Sequence, residues 1–367
     1  MNNQTTNGWQ IKQIKDLLDY ERPDKYIVEK SQYISSGTPV LTANKSFILG
    51  YTDEEFGIYQ NVPAIIFDDF TTDSKFVDFP FKIKSSAIKI LKDKSKEVDL
   101  RFVFERMKSI NFPTGNHKRY YISQYQNMKI AVPSLPVQQK ISNILSVIDD
   151  AIKKTDQTIL KTEKLKYGLM QSIFSFRNKE EVKFVALGDI GKISMCKRVF
   201  KEETSSIGEI PFYKIGTFGK EPDAFISQEL YDSYRKKFSF PKVGDVLLSA
   251  SGTVGRRVQY DGKPAYFQDS NIIWLEHDES ILLNNFLFYL YETITWQTEG
   301  STIKRLYNNI ILKTNVPVPS IDNQNKIVKI LSMLDEKISI NKKSKIKLNY
   351  FKKGIMQDIF SQKAEVN

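Results

Sequence analysis

Two short stretches of the chain carry the same run of chemical types. Gly115-Asn116-His117-Lys118-Arg119-Tyr120-Tyr121 sets a glycine, a basic pair and tyrosines close together, and Gly300-Ser301-Thr302-Ile303-Lys304-Arg305-Leu306-Tyr307 does so again. Glycine lets a loop approach a ligand closely. Lysine and arginine neutralise phosphate or fork onto a guanine edge, and tyrosine stacks or hydrogen-bonds. Lys118, Arg119, Tyr121, Lys304, Arg305 and Tyr307 are therefore candidates for nucleic-acid contact, the plain alternative being a solvated turn into the next strand. A third stretch, Ser249-Ala250-Ser251-Gly252-Thr253-Val254-Gly255-Arg256-Arg257, follows an apolar run and adds Thr253, Arg256 and Arg257. It lacks the lysine-serine or lysine-threonine ending of a nucleotide P-loop. A hairpin turn is its alternative reading.

Asp68, Asp69, Asp73 and Lys75 invite a different chemistry, since carboxylates plus a lysine can hold magnesium and activate water. Their spacing is too compressed for the usual strand-borne arrangement, and a turn or capping role suits the aspartates better. His117 and His277, the only histidines, have no ligand-spaced neighbours and read as structural or surface residues. Cys196 is the sole cysteine, which rules out an intrachain disulfide and a cysteine-cluster zinc site. There is no serine-histidine-aspartate set, no dinucleotide glycine fingerprint, and no Asn-Pro-Pro or Asp-Pro-Pro tripeptide to hold a flipped adenine. The residues point to a binding protein without catalysis, metal or cofactor.

The chain has 367 residues of ordinary globular composition and a net charge of +11, which suggests a polyanionic partner. The excess is uneven. Residues 1–130 carry 19 basic and 16 acidic groups and residues 182–315 carry 17 and 16, whereas 316–367 carry 10 and 5. A phosphate-binding surface on the two larger regions must therefore come from local clustering. No run of 18 apolar residues and no signal-peptide pattern occurs, so the expectation is a cytoplasmic protein with no membrane association.

What would position the candidate loops is a duplication. Val132 to Ser175 aligns without a gap on Val318 to Ser361, 186 positions later, with 19 identities in 44 pairs. Each copy reads as one long helix opening near Pro136 or Asp322. The apolar seams are Ile141, Leu145, Ile148, Ile152 and Ile159, and Ile327, Leu331, Leu334 and Ile338, in steps of four and three that suit an antiparallel coiled coil of the two copies. A helix of about 40 residues is on the order of 60 Å long and must emerge from its own domain. Gly168 and Gly354 sit inside the two helices, where glycine costs roughly 1 kcal/mol. They mark an expected close crossing or docking point for a partner helix or subunit.

The regions between the helices repeat more faintly. Ala64 to Phe67 matches Asp245 to Leu248 as a buried strand, and Leu100 to Phe104 matches Asn284 to Phe288 as a short helix. The fold expected is α+β, with mixed domains at 1–130 and 182–315, helical segments at 131–181 and 316–367, and a pseudo-twofold internal repeat.

The openings Val132-Pro133-Ser134-Leu135-Pro136-Val137-Gln138-Gln139-Lys140-Ile141 and Val318-Pro319-Ser320 through Gln324, Lys326 and Ile327 complete the pattern, as do the closings Gly168-Leu169-Met170-Gln171 and Gly354-Ile355-Met356-Gln357. Over essentially its whole length the chain resembles the specificity subunit of type I restriction-modification enzymes. Ile321-Asp322 departs from the usual Leu-Pro pair. The resemblance implies two target recognition domains, each reading half of a bipartite site in double-stranded DNA, with the paired helices setting the gap. It also implies two methyltransferase subunits docked on the helices, motor-nuclease subunits beside them, and adenine methylation and phage defence as the outcome. A coiled-coil assembly scaffold that binds no DNA is the rival from another class, and a magnesium nuclease at Asp68 and Asp69 a further one.

Overall fold

A computed structural model describes residues 8–30, 32–43, 46–115, 118–175, 182–300 and 304–361. The chain forms two compact units, 1–156 with 343–367 and 157–342. Sequence order and spatial order therefore differ, because each long helix contributes one half to each unit.

Unit 1 contains strands β1 (Gln10–Gln13), β2 (Leu18–Glu21), β3 (Thr38–Leu41), β4 (Ile48–Thr52), β5 (Ala64–Asp68), β6 (Ser74–Val77), β7 (Lys82–Ile83), β8 (Ile88–Asp93) and β9 (Lys129–Val132), with helices α1 (Ile14–Leu17) and α2 (Leu100–Lys108). The first long helix, α3, spans Leu135–Ser175. Unit 2 follows with β10 (Lys183–Ala186), α4 (Leu187–Ile190), β11 (Gly191–Ser194), β12 (Ile210–Tyr213), β13 (Phe225–Ile226) and α5 (Gln228–Lys237). It continues through β14 (Val246–Ser249), β15 (Arg257–Gln259), β16 (Tyr266–Phe267), β17 (Ile272–His277), α6 (Asn284–Thr293), α7 (Asn308–Leu312) and β18 (Asn315–Val318) to the second long helix, α8 (Ile321–Phe360).

Among the described residues each unit has the same three sheets. The four-stranded orders are β2-β8-β5-β6 and β11-β17-β14-β15, the three-stranded β4-β3-β7 and β13-β12-β16, the two-stranded β1-β9 and β10-β18. Even the register repeats, Ile66 pairing with Ile90 as Leu247 does with Trp274. The expected strand match at Ala64 to Phe67 and the α2–α6 match are thus present. Among the described residues helix α5 has no counterpart in unit 1.

β5 is buried at every position because its sheet is covered on both faces, and side chains alternate between them. Ile65 and Phe67 enter one core with α2, while Ala64 and Ile66 enter the other with Leu41, Phe81 and Ile83. β14 divides its residues likewise, Val246 and Leu248 to one side and Leu247 to the other.

The start of each long helix belongs to the domain before it. Ile141 and Leu145, the first seam residues, are fully buried in the core that holds α2, together with Ile359 from the end of α8. In unit 2, Leu331 packs with Met170 and Tyr289. Ile148, Ile159 and Ile338 are also buried, while Ile152, Ile327 and Leu334 are half-buried. α8 begins at Ile321, the mate of Leu135, so the Ile-Asp departure leaves the helix start unchanged.

Gln138 explains one of the repeated identities. Its side-chain carbonyl accepts from the Asp99 N–H (2.9 Å) and its amide donates to the carbonyls of Pro133 (2.9 Å) and Glu97 (3.3 Å). Gln324 accepts from the Leu283 N–H (2.8 Å) and donates to Pro319 (2.9 Å) and Ile281 (2.8 Å). Both glutamines are buried, so each set removes three backbone groups from the cost of going unpaired.

The long helices run antiparallel where they meet within each unit. In unit 1, Lys352 reaches Asp149 at 2.8 Å and Lys345 reaches Asp156 at 2.6 Å. In unit 2, Lys166 reaches Asp335 at 2.6 Å and Lys342 reaches Glu163 at 2.8 Å. The glycines are expected at a close crossing or a docking point. Gly168 and Gly354 are exposed, and a methyl group built on either would meet nothing within 4 Å among the described residues. Neither marks a close crossing inside its unit. Among the described residues no helix is long and apolar enough to cross a membrane.

Candidate nucleic-acid interface

In both units three separated segments are knitted together by the same pair of backbone bonds. In unit 1 the Asp69 N–H donates to the Ala87 carbonyl (3.0 Å) and the Tyr120 N–H donates to the Asp69 carbonyl (2.9 Å). In unit 2 the Ala250 N–H donates to Asn271 (2.7 Å) and the Leu306 N–H donates to Ala250 (2.8 Å). The basic loop therefore lies beside the loop that leaves the central strand. Sequence alone treats these loops as independent candidates; the fold makes them one surface per unit.

In unit 2 the junction carries Lys304, Arg305, Tyr307 and Thr253, all exposed. Arg305 exchanges backbone bonds with Glu299 (2.8 and 3.0 Å), which pins its main chain. The loop from 249 to 256 closes tightly, the Gly255 N–H donating to Ser249 (3.0 Å) and the Ser249 N–H to Arg256 (2.7 Å). Gly252 and Gly255 have φ of 66° and 85°, and a methyl group on Gly255 would sit 2.9 Å from the Trp296 ring, so glycine is required there. A cleft of about 350 Å³ opens between Met195, Ser270, Arg305, Tyr307 and Asn309.

Arg256 and Arg257 behave otherwise. Arg256 donates to the Phe218 carbonyl at 2.8 Å. Arg257 is paired with Glu292 and lies over the Phe288 ring at 4.5 Å, and burial disfavours its charged form. Neighbours on a strand face opposite ways, and Arg257 faces α6. It is a packing residue, contrary to the expectation of DNA contact.

In unit 1, Lys118 and Arg119 are exposed, with Arg119 5.8 Å from the centre of the Phe70 ring. Among the described residues no carboxylate pairs with Lys118, Arg119, Lys304 or Arg305. Tyr121 is not on this surface. Only 1% exposed, it packs on Phe67 with ring centres 5.3 Å apart, and its N–H donates to Asp69 (2.8 Å).

The aspartates serve the turn. Asp68 accepts from the N–H groups of Phe70 (2.9 Å) and Thr71 (3.0 Å), and Asp69 pairs with buried Lys89 at 3.3 Å. Among the described residues no group of three His, Cys, Asp or Glu side chains is arranged to hold a metal ion. Both ring nitrogens of His277 lie within hydrogen-bonding distance of the Leu275 (3.0 Å) and Leu282 (2.7 Å) carbonyls, a structural role. His117 lies outside the described residues. The sequence reading missed Ser270 and Asn309, whose place in the cleft depends on contacts far apart in the chain.

The model of the type I restriction modification DNA specificity domain matches the chain twice, over residues 6–162 and 179–350. The chain belongs to the type I restriction-modification specificity family. The type I restriction enzyme EcoR124I/EcoR124II specificity subunit of Escherichia coli is 32% identical over 355 residues, covering 87% of this chain and 85% of that one. A Haemophilus influenzae protein, named for the type I restriction enzyme specificity subunit S.HindORF215P, is 35% identical over 322 residues, covering 84% and 83%. The crystal structure of the type I restriction-modification S subunit from M. genitalium shares the fold, with a TM-score of 0.67 at 18% identity over 100% of this chain and 98% of that one. As a member of that family the chain is a specificity subunit, and the repeated loop junction is its candidate DNA-reading surface.

Proposed function

We propose that each unit reads one half of a bipartite site in double-stranded DNA through its loop junction. Lys118 and Arg119 act in unit 1, and Thr253, Lys304, Arg305 and Tyr307 in unit 2. The observation that carries this reading is the junction itself: one backbone scaffold used twice, with an acidic turn in one unit and a glycine-rich loop in the other. Shared scaffold with divergent side chains suits two different base sequences.

The long helices set the gap and dock two methyltransferase subunits, with motor-nuclease subunits joining to cut unmodified DNA; the chemistry is left to those partners. Docking is supported by apolar side chains exposed at matched positions of α3 and α8: Ile144 and Ile330, Val147 and Met333, Leu160 and Ile346, Leu165 and Phe351. Repeated exposed apolar residues suit two equivalent partners. Gly168 and Gly354, exposed on the same helices, leave room for such a partner.

Exchange of residues 182–315 for another such domain tests the reading, with methylated adenines mapped across a genome. One half-site changes and the other does not; a change in both defeats it. Insertion of one heptad after Asp156 and another after Lys342 lengthens the gap, and an unaltered gap defeats the spacer role.

A further inference from the structure

The facing ends of α2 and α8 in unit 1 flank an open cavity of about 590 Å³, within the roughly 300–1,000 Å³ of small-ligand sites. Arg106, Lys108, Lys352 and Lys353 line it, over an apolar floor of Met356 and Phe360. Lys352 is neutralised by Asp149 and Glu105. The other three are not: among the described residues no carboxylate forms an ion pair with Arg106, Lys108 or Lys353. The Arg106 guanidinium is held over the Phe360 ring at 4.6 Å, and its Nε is buried without an acceptor. A buried donor left unpaired is costly, and an incoming anion would remove that cost.

The internal repeat supplies a control. Arg106, Lys108 and Lys353 correspond to Leu290, Glu292 and Tyr167, while Lys352, Met356 and Phe360 correspond to Lys166, Met170 and Phe174. Unit 2 therefore keeps the helix, the floor and the paired lysine but has lost all three unpaired cations, and its Glu292 accepts Arg257 and Lys166. A function shared by the two copies, such as docking equivalent subunits, gives no reason for this difference. The three unpaired cations are therefore a feature of unit 1 alone among the two copies.

We propose that this cavity binds a multiply charged phosphoryl anion. Three unpaired cations exceed what a single carboxylate neutralises, and an oriented arginine fork flanked by two lysines matches the several oxygens of a phosphoryl group. Such a group could arrive on a small molecule or on a nucleic-acid backbone. The apolar floor accommodates whatever organic part accompanies it.

Titration of the full chain with inorganic pyrophosphate, followed by calorimetry, tests this. The wild type binds saturably. Lys108→Glu with Lys353→Tyr, which copies unit 2 at two exposed positions, abolishes binding, and Arg106→Gln weakens it by about tenfold. Lys304→Ala with Arg305→Ala leaves it intact. In that last variant, a short DNA duplex that displaces pyrophosphate identifies the backbone as the source, and one that does not identifies a free anion. No saturable binding, or equal binding by the K108E/K353Y variant with an unchanged thermal melt, overturns the proposal. So does a polyglutamate peptide that binds where pyrophosphate fails.

Discussion

Lys352 lies 2.8 Å from Asp149, and their repeat mates Lys166 and Asp335 form the same ion pair at 2.6 Å. The two settings differ. Lys352 also neutralises Glu105, whose side chain is fully buried, whereas Tyr289 stands at the Glu105 position in unit 2 and donates to Asp335 at 2.8 Å. Lys352→Met leaves the buried Glu105 with Arg101, at 3.2 Å, as its remaining cation and costs about 2 kcal/mol, since one of two charge-assisted contacts to a buried carboxylate is lost. Lys166→Met faces carboxylates 38–39% exposed and costs about 1 kcal/mol or less. Urea denaturation of the two variants distinguishes them, and equal losses refute the argument.

Gln138 and Gln324 each satisfy three backbone groups at a helix entry. Leucine is close in size but leaves those groups buried and unpaired. Each Gln→Leu change costs about 3 kcal/mol, and amide exchange at residues 97–99 or 281–283 rises in the altered unit alone. Protection retained in both units counts against the clamp.

Lys304 and Arg305 are exposed and unpaired among the described residues, while Arg257 is locked to Glu292. Alanine at both 304 and 305 lowers DNA affinity and reduces the salt slope by about 2, as each lost phosphate contact removes about 0.9. Arg257→Ala leaves the slope unchanged and lowers stability. A reversed pattern in salt-dependent binding assays would exchange their roles.

Glu54 and Lys82 form a buried ion pair at 2.5 Å. Burial pushes the Glu54 carboxyl up, but Lys82 and the N–H groups of Lys30 and Glu29 outweigh it, and the net shift is downward. A depressed folded-state value means this stabilisation is present above the ordinary glutamate range, about pH 4, and is lost as pH falls through the folded value. Glu54→Gln is less stable at neutral pH, with a shallower acid limb. An acid limb as steep as the wild type's would contradict this.

Burial pushes the Cys196 thiol up to about 12. Since the thiolate is the reactive form, Ellman's reagent labels native protein slowly and labels denatured protein at once. Rapid native labelling would place the thiol at the surface.

Local pattern carried much of this architecture. The recurring Pro-Ser and Gln-Lys-Ile marks locate both long helices, because each residue acts within a turn or two of its own helix. Gln138 is legible for that reason, although its bonds are not. Tyr121 and Arg257 were misread because exposure depends on which face of a sheet is covered, and basic-aromatic composition does not specify it. Gly168 suggested a crossing because a gap in a side-chain row looks the same whether filled or open. The Lys352–Glu105 contact joins residues 247 positions apart, beyond any local signal.

The interleaving of the two units bears on the order in which the chain can fold during synthesis. Unit 2 is one continuous segment, complete once Lys342 has emerged, whereas unit 1 needs Lys352 for Glu105 and Ile359 for its core. Of the two units, the one whose synthesis starts earlier is therefore the one that closes later. Until then Glu105 lacks Lys352 and Phe102 lacks Phe360, and that interval is when the nascent protein is most vulnerable to proteases and to pairing with another copy of itself.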